Sequence, residues 1–292
     1  GDGGAAGPAG FARQRIAETN QAAVGQSYSA VRLTPGEAGA GGDGGGGGDA
    51  SARLVDSAIH GGDGADTVVA EESVIVVTGG FAESTVTVGA EAGPDGTAGA
   101  DGDAFVLLRN VTVELGGGDD ALRLELLATG PGANRVVVRD SAFDGGAGWD
   151  MIAFGAGHAG EAAVFVDVGA ETVRFGRPGA PANALTGFEE FLGTGGNDRF
   201  RDGAGDQTYR GGGGEDLFVF FARNQGHDRI LDLDEGDVVA LRGFGTRLNS
   251  FEKLLDLAEE VEGGVLIQTG PGSSLFLGGP AALSLTADLF SF

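Results

Sequence analysis

Residues 193–219 read as three nine-residue units in a row, GTGGNDRFR, DGAGDQTYR and GGGGEDLFV. The third fits the pattern G-G-x-G-x-D-x-U-x, with U a large apolar residue, at every position. Glycines let the chain turn through positive φ and let carbonyl oxygens point inward. The sixth position supplies a carboxylate in Asp198 and Asp216, and the eighth drops Phe200, Tyr209 or Phe218 into a core. A repeat this short calls for a stack of turns, each burying one large side chain against its neighbours.

More copies lie upstream. Gly61-Gly62-Asp63-Gly64-Ala65-Asp66-Thr67-Val68 and Gly145-Gly146-Ala147-Gly148-Trp149-Asp150-Met151-Ile152 fit the pattern, and Leu115-Gly116-Gly117-Gly118-Asp119-Asp120-Ala121-Leu122 departs only at its first position. Asp56-Ser57-Ala58-Ile59 precedes the first copy and Asp140-Ser141-Ala142-Phe143 the other, as an internal duplication would arrange them. In a chain with 59 glycines a single match means little. Three in phase, and three more ending in Asp-x-apolar, are not explained by a flexible glycine linker, which has no need of regularly placed apolar residues.

Between the turns run short β-branched segments: Val74–Thr78, Ser84–Val88, Phe105–Leu108, Val111–Leu115, Leu122–Leu127, Arg135–Val138, Ala163–Val168 and Glu171–Phe175. Short strands broken by glycine turns predict an all-β, right-handed parallel β-solenoid, a β-helix grading into a tight β-roll. Four segments are expected. Residues 1–50 form a Gly/Ala-rich N-terminal segment or solenoid edge, 51–192 an irregular solenoid with isolated glycine turns, 193–219 the β-roll, and 220–292 a C-terminal cap. One helix is expected, over 250–261, with Ser250 as N-cap and Phe251, Leu254, Leu255 and Ala258 as its apolar stripe. Its simplest role is to cover an open end of the stack.

The formal charge is −25, with Lys253 the only lysine. Such a chain repels nucleic acid and anionic membrane alike. Disorder does not account for the acidity, because 41% of residues are hydrophobic and many fall in strand-like alternation. There is no cysteine, so neither disulfides nor a thiolate metal site can staple the fold. No apolar run reaches the ~18 residues that span a bilayer, and no signal peptide is visible.

Carboxylates and inward carbonyls are hard oxygen ligands, and calcium takes about six to eight of them. One turn cannot supply that many, so two turns must sandwich each ion. Successive turns of a two-sided roll face opposite sides, which pairs Gly193–Asp198 with Gly211–Asp216. The middle turn has Gln207 where aspartate is expected, and a full-affinity site is not expected on that side.

These repeats, with the run GHDRILDLDEGDVVALRGFG from Gly226 and the terminal Asp288-Leu289-Phe290-Ser291-Phe292, resemble the RTX family of hemolysin-type calcium-binding proteins exported by type I secretion. The C-terminal part is similar to the β-roll and secretion region of serralysin-type proteases. The resemblance implies several calcium ions. It assigns as ligands the carbonyls of Thr194 and Gly196 with the Asp198 carboxylate, facing the carbonyls of Gly211 and Gly213 with the Asp216 carboxylate. It offers Asp232 or Asp237 as the cap of a further site. By the same matching, Gly62 and Gly64 go with Asp66, Gly116 and Gly118 with Asp120, and Gly146 and Gly148 with Asp150. It also implies the type I secretion machinery as a partner during export, and places the secretion signal within 220–292.

The similarity to proteases stops at that module. There is no H-E-x-x-H, and His60, His158 and His227 are widely scattered. No G-x-S-x-G elbow occurs, and no Lys-Ser/Thr follows Gly41–Gly48 as a phosphate loop needs. Trp149 is open to two roles, stacking on a sugar or packing over its glycine turn. The function these observations favour is a secreted, non-enzymatic calcium-binding protein whose folding depends on calcium. It would act as a structural or adhesive component at the cell surface, with a second copy or a surface polysaccharide as partner. The alternative is the RTX module of a larger secreted enzyme, which a chain beginning at Gly1 leaves open, or a β-helix polysaccharide lyase or epimerase.

Overall fold

The computed structural model describes residues 104–115, 119–129, 134–154, 163–176, 179–224 and 226–292, with the backbone of six strands earlier in the chain. Two compact units emerge, Gly1–Gly148 and Trp149–Phe292. The regular structure among the described residues is mostly β-strand, in parallel-rich sheets, with one short α-helix. No helix among them is long and apolar enough to cross a membrane.

The first unit holds β1 (Phe11–Ala17), β2 (Asn20–Ala22), β3 (Arg32–Leu33), β4 (Asp49–His60), β5 (Ser73–Val74), β6 (Glu83–Glu91), β7 (Ala104–Glu114), β8 (Ala121–Thr129), β9 (Asn134–Arg139) and β10 (Ala142–Asp144). Their pairings with one another are parallel except β3 with β5. The segments 105–108 and 111–115, expected as separate strands, join as β7 through Asn110, whose φ is 56°. β7 lies between the two duplicated blocks: Ser57 on β4 pairs with Val111, and Ala142 on β10 with Thr112. Asp140 repeats the Asn110 conformation at φ 54°, and Ser141 Oγ then accepts the Val111 N–H at 3.2 Å. The Asp-Ser-Ala block is thus a kink with its own hydroxyl cap.

The second unit holds β11 (Met151–Phe154), β12 (Val164–Asp167), β13 (Thr172–Phe175), β14 (Asn183–Thr186), β15 (Glu190–Leu192), β16 (Arg199–Arg201), β17 (Thr208–Arg210), β18 (Leu217–Phe221), β19 (His227–Ile230), β20 (Val238–Arg242), α1 (Phe251–Leu255), β21 (Ala258–Val261), β22 (Gly264–Gly270), β23 (Ser273–Gly278) and β24 (Phe290–Ser291). From β15 to β20 successive strands enter alternate sheets. One sheet runs β12-β16-β18-β20-β24, all parallel; the other runs β11-β15-β17-β19-β23, also parallel. In the first, Val166, Phe200, Phe218 and Val239 share one row; in the second, Ile152, Phe191, Tyr209 and Ile230 do. Phe200 stacks on Phe218 at 5.4 Å and Phe191 on Tyr209 at 5.6 Å, and Tyr209 leans against Phe200, Phe218 and Phe220. Each nine-residue unit delivers one ring to this buried seam, as its eighth position predicts.

Two departures from the expected parallel order have plain causes. β12, β13 and β14 are antiparallel neighbours. A single 3₁₀ turn, Val168–Ala170, closed by Glu171 at φ 54°, connects β12 to β13, too short a link for a parallel crossover. The helix expected over 250–261 stops at Leu255, although Ser250 does cap it by accepting the Lys253 N–H. Ala258, placed in its apolar stripe, instead begins β21, which turns at Gly263 (φ 86°) into antiparallel β22 and then β23. Only Leu254 of that stripe is buried, and Leu255 is exposed. Three glutamates with Val261 before Gly263-Gly264 make a better exposed hairpin than a third helical turn.

Candidate metal centre

The turn 193–198 links β15 to β16, 211–216 links β17 to β18, and 231–237 links β19 to β20. Their flanking strands are in register, so the turns stack. Gly213 N–H donates to the Thr194 carbonyl at 3.1 Å, and Glu215 N–H to Asn197 Oδ1 at 3.0 Å. A Cβ on Gly193 would sit 2.3 Å from both Asp198 Oδ2 and the Gly211 carbonyl oxygen; one on Gly211 would meet Asp216 Oδ2. These glycines therefore leave room for carboxylate and carbonyl oxygens of two turns to crowd around one point. Side chains would close that cradle.

The patterned aspartates of the stack hold backbone amides. Asp198 Oδ1 accepts the Val164 N–H at 2.6 Å, Asp216 Oδ1 the Asp198 N–H at 2.8 Å, and Asp237 Oδ1 the Asp216 N–H at 2.9 Å. Each carboxylate caps the backbone of the strand row before it. Asp198 also accepts from the Thr194 N–H and hydroxyl, and Asp232 holds the Gly211 and Gly212 N–H groups at 3.0 and 3.1 Å. The structure thus places Thr194, Gly196, Asp198, Gly211, Gly213, Asp216, Asp232 and Asp237 together in three stacked turns. Asp198 and Asp216 are each only 2% exposed. Burial pushes the Asp198 carboxyl from 3.8 up to about 6. Burial, then the neighbouring Asp198, Asp237 and Asp232 carboxylates, push Asp216 to about 7. Buried like charges in a row are unfavourable until something positive joins them.

The opposite row was less legible. Its positions two before the inward residue are Asp150, Glu189, Gln207 and Asp228. Asp150 N–H donates to Glu189 Oε2 at 2.8 Å, and Gln207 N–H to Asp228 Oδ1 at 3.1 Å. Glu189 and Asp228 do the job of the patterned aspartates with only the last glycine of the turn before each, Gly187 and Gly226; counting two residues back from Phe191 and Ile230 would have found both. Asp202 is a further surprise. It occupies the first position of the middle unit, where its neighbours have Gly193 and Gly211, and it is 4% exposed. Burial raises it to about 6 and Asp228 to about 8, the latter helped by Asp202.

Elsewhere the picture is sparser. Asp120 and Asp150 are buried. Gly116 and Gly118, and Gly62, Gly64 and Asp66, lie outside the described residues. Gly146 and Gly148 adopt positive φ and are exposed, at the end of the first unit. Trp149 is 43% exposed. Among the described residues no three carboxylate or imidazole side chains converge on one point. A centre built in the stacked turns would draw one carboxylate per turn and the rest from carbonyls. The donor set is all oxygen, which suits calcium and not a thiophilic or imidazole-seeking metal. Neither protein-family models nor curated proteins give a match to this chain.

Proposed function

We propose that this chain is a secreted calcium-binding protein of RTX type, a right-handed parallel β-solenoid whose folding is driven by calcium, working as a structural or adhesive extracellular component. The observation behind it is the stack of turns 193–198 and 211–216, where glycines leave space for carboxylate and carbonyl oxygens around shared points. Thr194, Gly196, Asp198, Gly211, Gly213 and Asp216 would hold the ion. Bound calcium supplies the positive charge that the row of buried aspartates lacks.

The chain's own residues then act as a switch. Where calcium is scarce, ionised aspartates repel and resist burial, so the chain stays open and suited to passage through a narrow exporter. At millimolar calcium outside the cell, sites with dissociation constants of roughly 10⁻⁴–10⁻³ M fill and drive folding. Non-enzymatic use fits the patterned residues, which serve turns and core and leave no nucleophile–base pair.

Circular dichroism and light scattering during a calcium titration, with magnesium as control, test this. A coil-to-β transition near millimolar calcium, absent with magnesium and followed by growing particle size, is the expected result. A transition without growth removes the assembly role and favours a secretion module. No transition removes calcium from the account.

A further inference from the structure

A cavity of about 10 Å³, room for one water-sized centre, lies beside the ring seam at the middle turn, lined by Asp202, Asn224, Gly226, Asp228, Thr269 and Ser273 on its polar side and by Phe220, Phe244 and Leu275 on its apolar side. Asp202 and Asp228 are both at least nine-tenths buried. Asp202 Oδ2 accepts from Asn224 Nδ2 at 3.1 Å, but the buried Asp202 Oδ1 has no hydrogen-bond partner. The Gly203 and Phe221 amides and the Tyr209 hydroxyl lie near enough to favour its charged form without closing a bond onto Oδ1. Gln207 Oε1, in the same turn, is a second buried oxygen without a donor. The ion pairs of this unit among the described residues, Arg201 with Asp167 and Arg210 with Glu190, include neither Asp202 nor Asp228.

Buried charge persists only when paired or bound to a metal. Here two carboxylates, a carboxamide and two hydroxyls line a space of one small centre, and the orphan atoms of this region are two acceptors, Asp202 Oδ1 and Gln207 Oε1, with one hydroxyl, that of Tyr209. A water molecule would satisfy one acceptor and leave the charge. We propose that Asp202 and Asp228 hold a second kind of cation site, set against the aromatic core instead of between paired glycine-rich turns, and that it takes one hard divalent cation, calcium in an extracellular medium. The Asp202 side chain then supplies, from the first position of its unit, the carboxylate that Gln207 lacks at the sixth. The site stands on its own cavity and does not require the turn site to be right.

Two measurements on the full chain test it. The first uses terbium, which takes the same oxygen ligands and emits when excited through a nearby phenol. In a Trp149→Phe background the only phenols are Tyr28 and Tyr209. Terbium emission excited through tyrosine is expected, falling at least fivefold on adding Tyr209→Phe. Emission that is absent, or indifferent to Tyr209→Phe, overturns the proposal whatever the acidic variants do. The second counts calcium by equilibrium dialysis. Asp202→Asn, near in shape, should lower the count by one with unchanged circular dichroism, and Asp216→Asn should lower it separately. An unchanged count in folded Asp202→Asn sinks this site alone; an unchanged count in Asp216→Asn sinks only the turn site.

Discussion

Replacing Asp216 by asparagine should change stability in opposite directions with and without calcium. The amide oxygen can still accept the Asp198 N–H, now bonded at 2.8 Å, and the volume hardly changes, so charge is what the substitution removes. Burial and three neighbouring carboxylates lift this group from 3.8 to about 7. A lift of that size disfavours the charged form by roughly 4 kcal/mol, which solvent screening at a turn reduces to about 2 kcal/mol. In chelator at pH 8 Asp216→Asn should therefore be about 2 kcal/mol more stable than the parent. In about 10 mM calcium the sign reverses. A site with a dissociation constant of roughly 10⁻³–10⁻⁴ M contributes about 1.4–2.7 kcal/mol by mass action, and the variant forfeits much of it. The folding equilibrium followed by circular dichroism reads both values, with trimethylamine N-oxide driving folding in chelator and urea driving unfolding in calcium. A variant destabilised equally in the two media would show that Asp216 serves only as a backbone cap, and the charge argument would fail.

Other outcomes follow from the same geometry. In chelator, folded carboxyls raised above their unfolded value bind extra protons in the native state, so their contribution is full below about pH 4 and is lost as pH rises through about 6 for Asp198 and Asp202, about 7 for Asp216 and about 8 for Asp228; the folded fraction by circular dichroism from pH 4 to 8.5 should fall in chelator and stay level in calcium. Gly212→Ala puts a Cβ 2.1 Å from the Thr194 carbonyl at φ 95°, whereas Gly272→Ala meets open space at φ 74°; the second should cost about 1 kcal/mol for the left-handed backbone and the first clearly more, by thermal melts in calcium. Phe218→Ala removes a fully buried ring from the Phe200 stack and should cost about 3–5 kcal/mol, while Phe292→Ala, at a partly exposed terminal ring, should stay within about 0.5 kcal/mol.

The stacked turns were legible because glycine, aspartate and ring recur at fixed offsets, and each offset has one physical task. Phe200, Tyr209 and Phe218 reach the seam for that reason. What escaped has the same offsets with only the last glycine of the turn, Gly187 or Gly226. Glu189 and Asp228 sit two before Phe191 and Ile230, but their turns are irregular, so a pattern weighted on glycine passes over them. Asp202 was hidden differently: a carboxylate at a glycine position looks like a broken repeat, and only the cavity beside it gives it meaning. The antiparallel strands β13, β14 and β21 reflect connection length and hairpin chemistry, which a search for helices and repeats does not weigh. For Asp66 and its glycines the described residues offer no comparison.

The capping of each row by the carboxylate of the next gives the stack a direction. Val164 is completed by Asp198, Asp198 by Asp216 and Asp216 by Asp237. A chain shortened from its C-terminus loses a row and also leaves the row before it with a bare amide. Shortening from the other end merely releases a carboxylate to water. The two ends of the stack are therefore unequal as places to cut, and a fusion or truncation that spares 231–237 keeps the last rung closed.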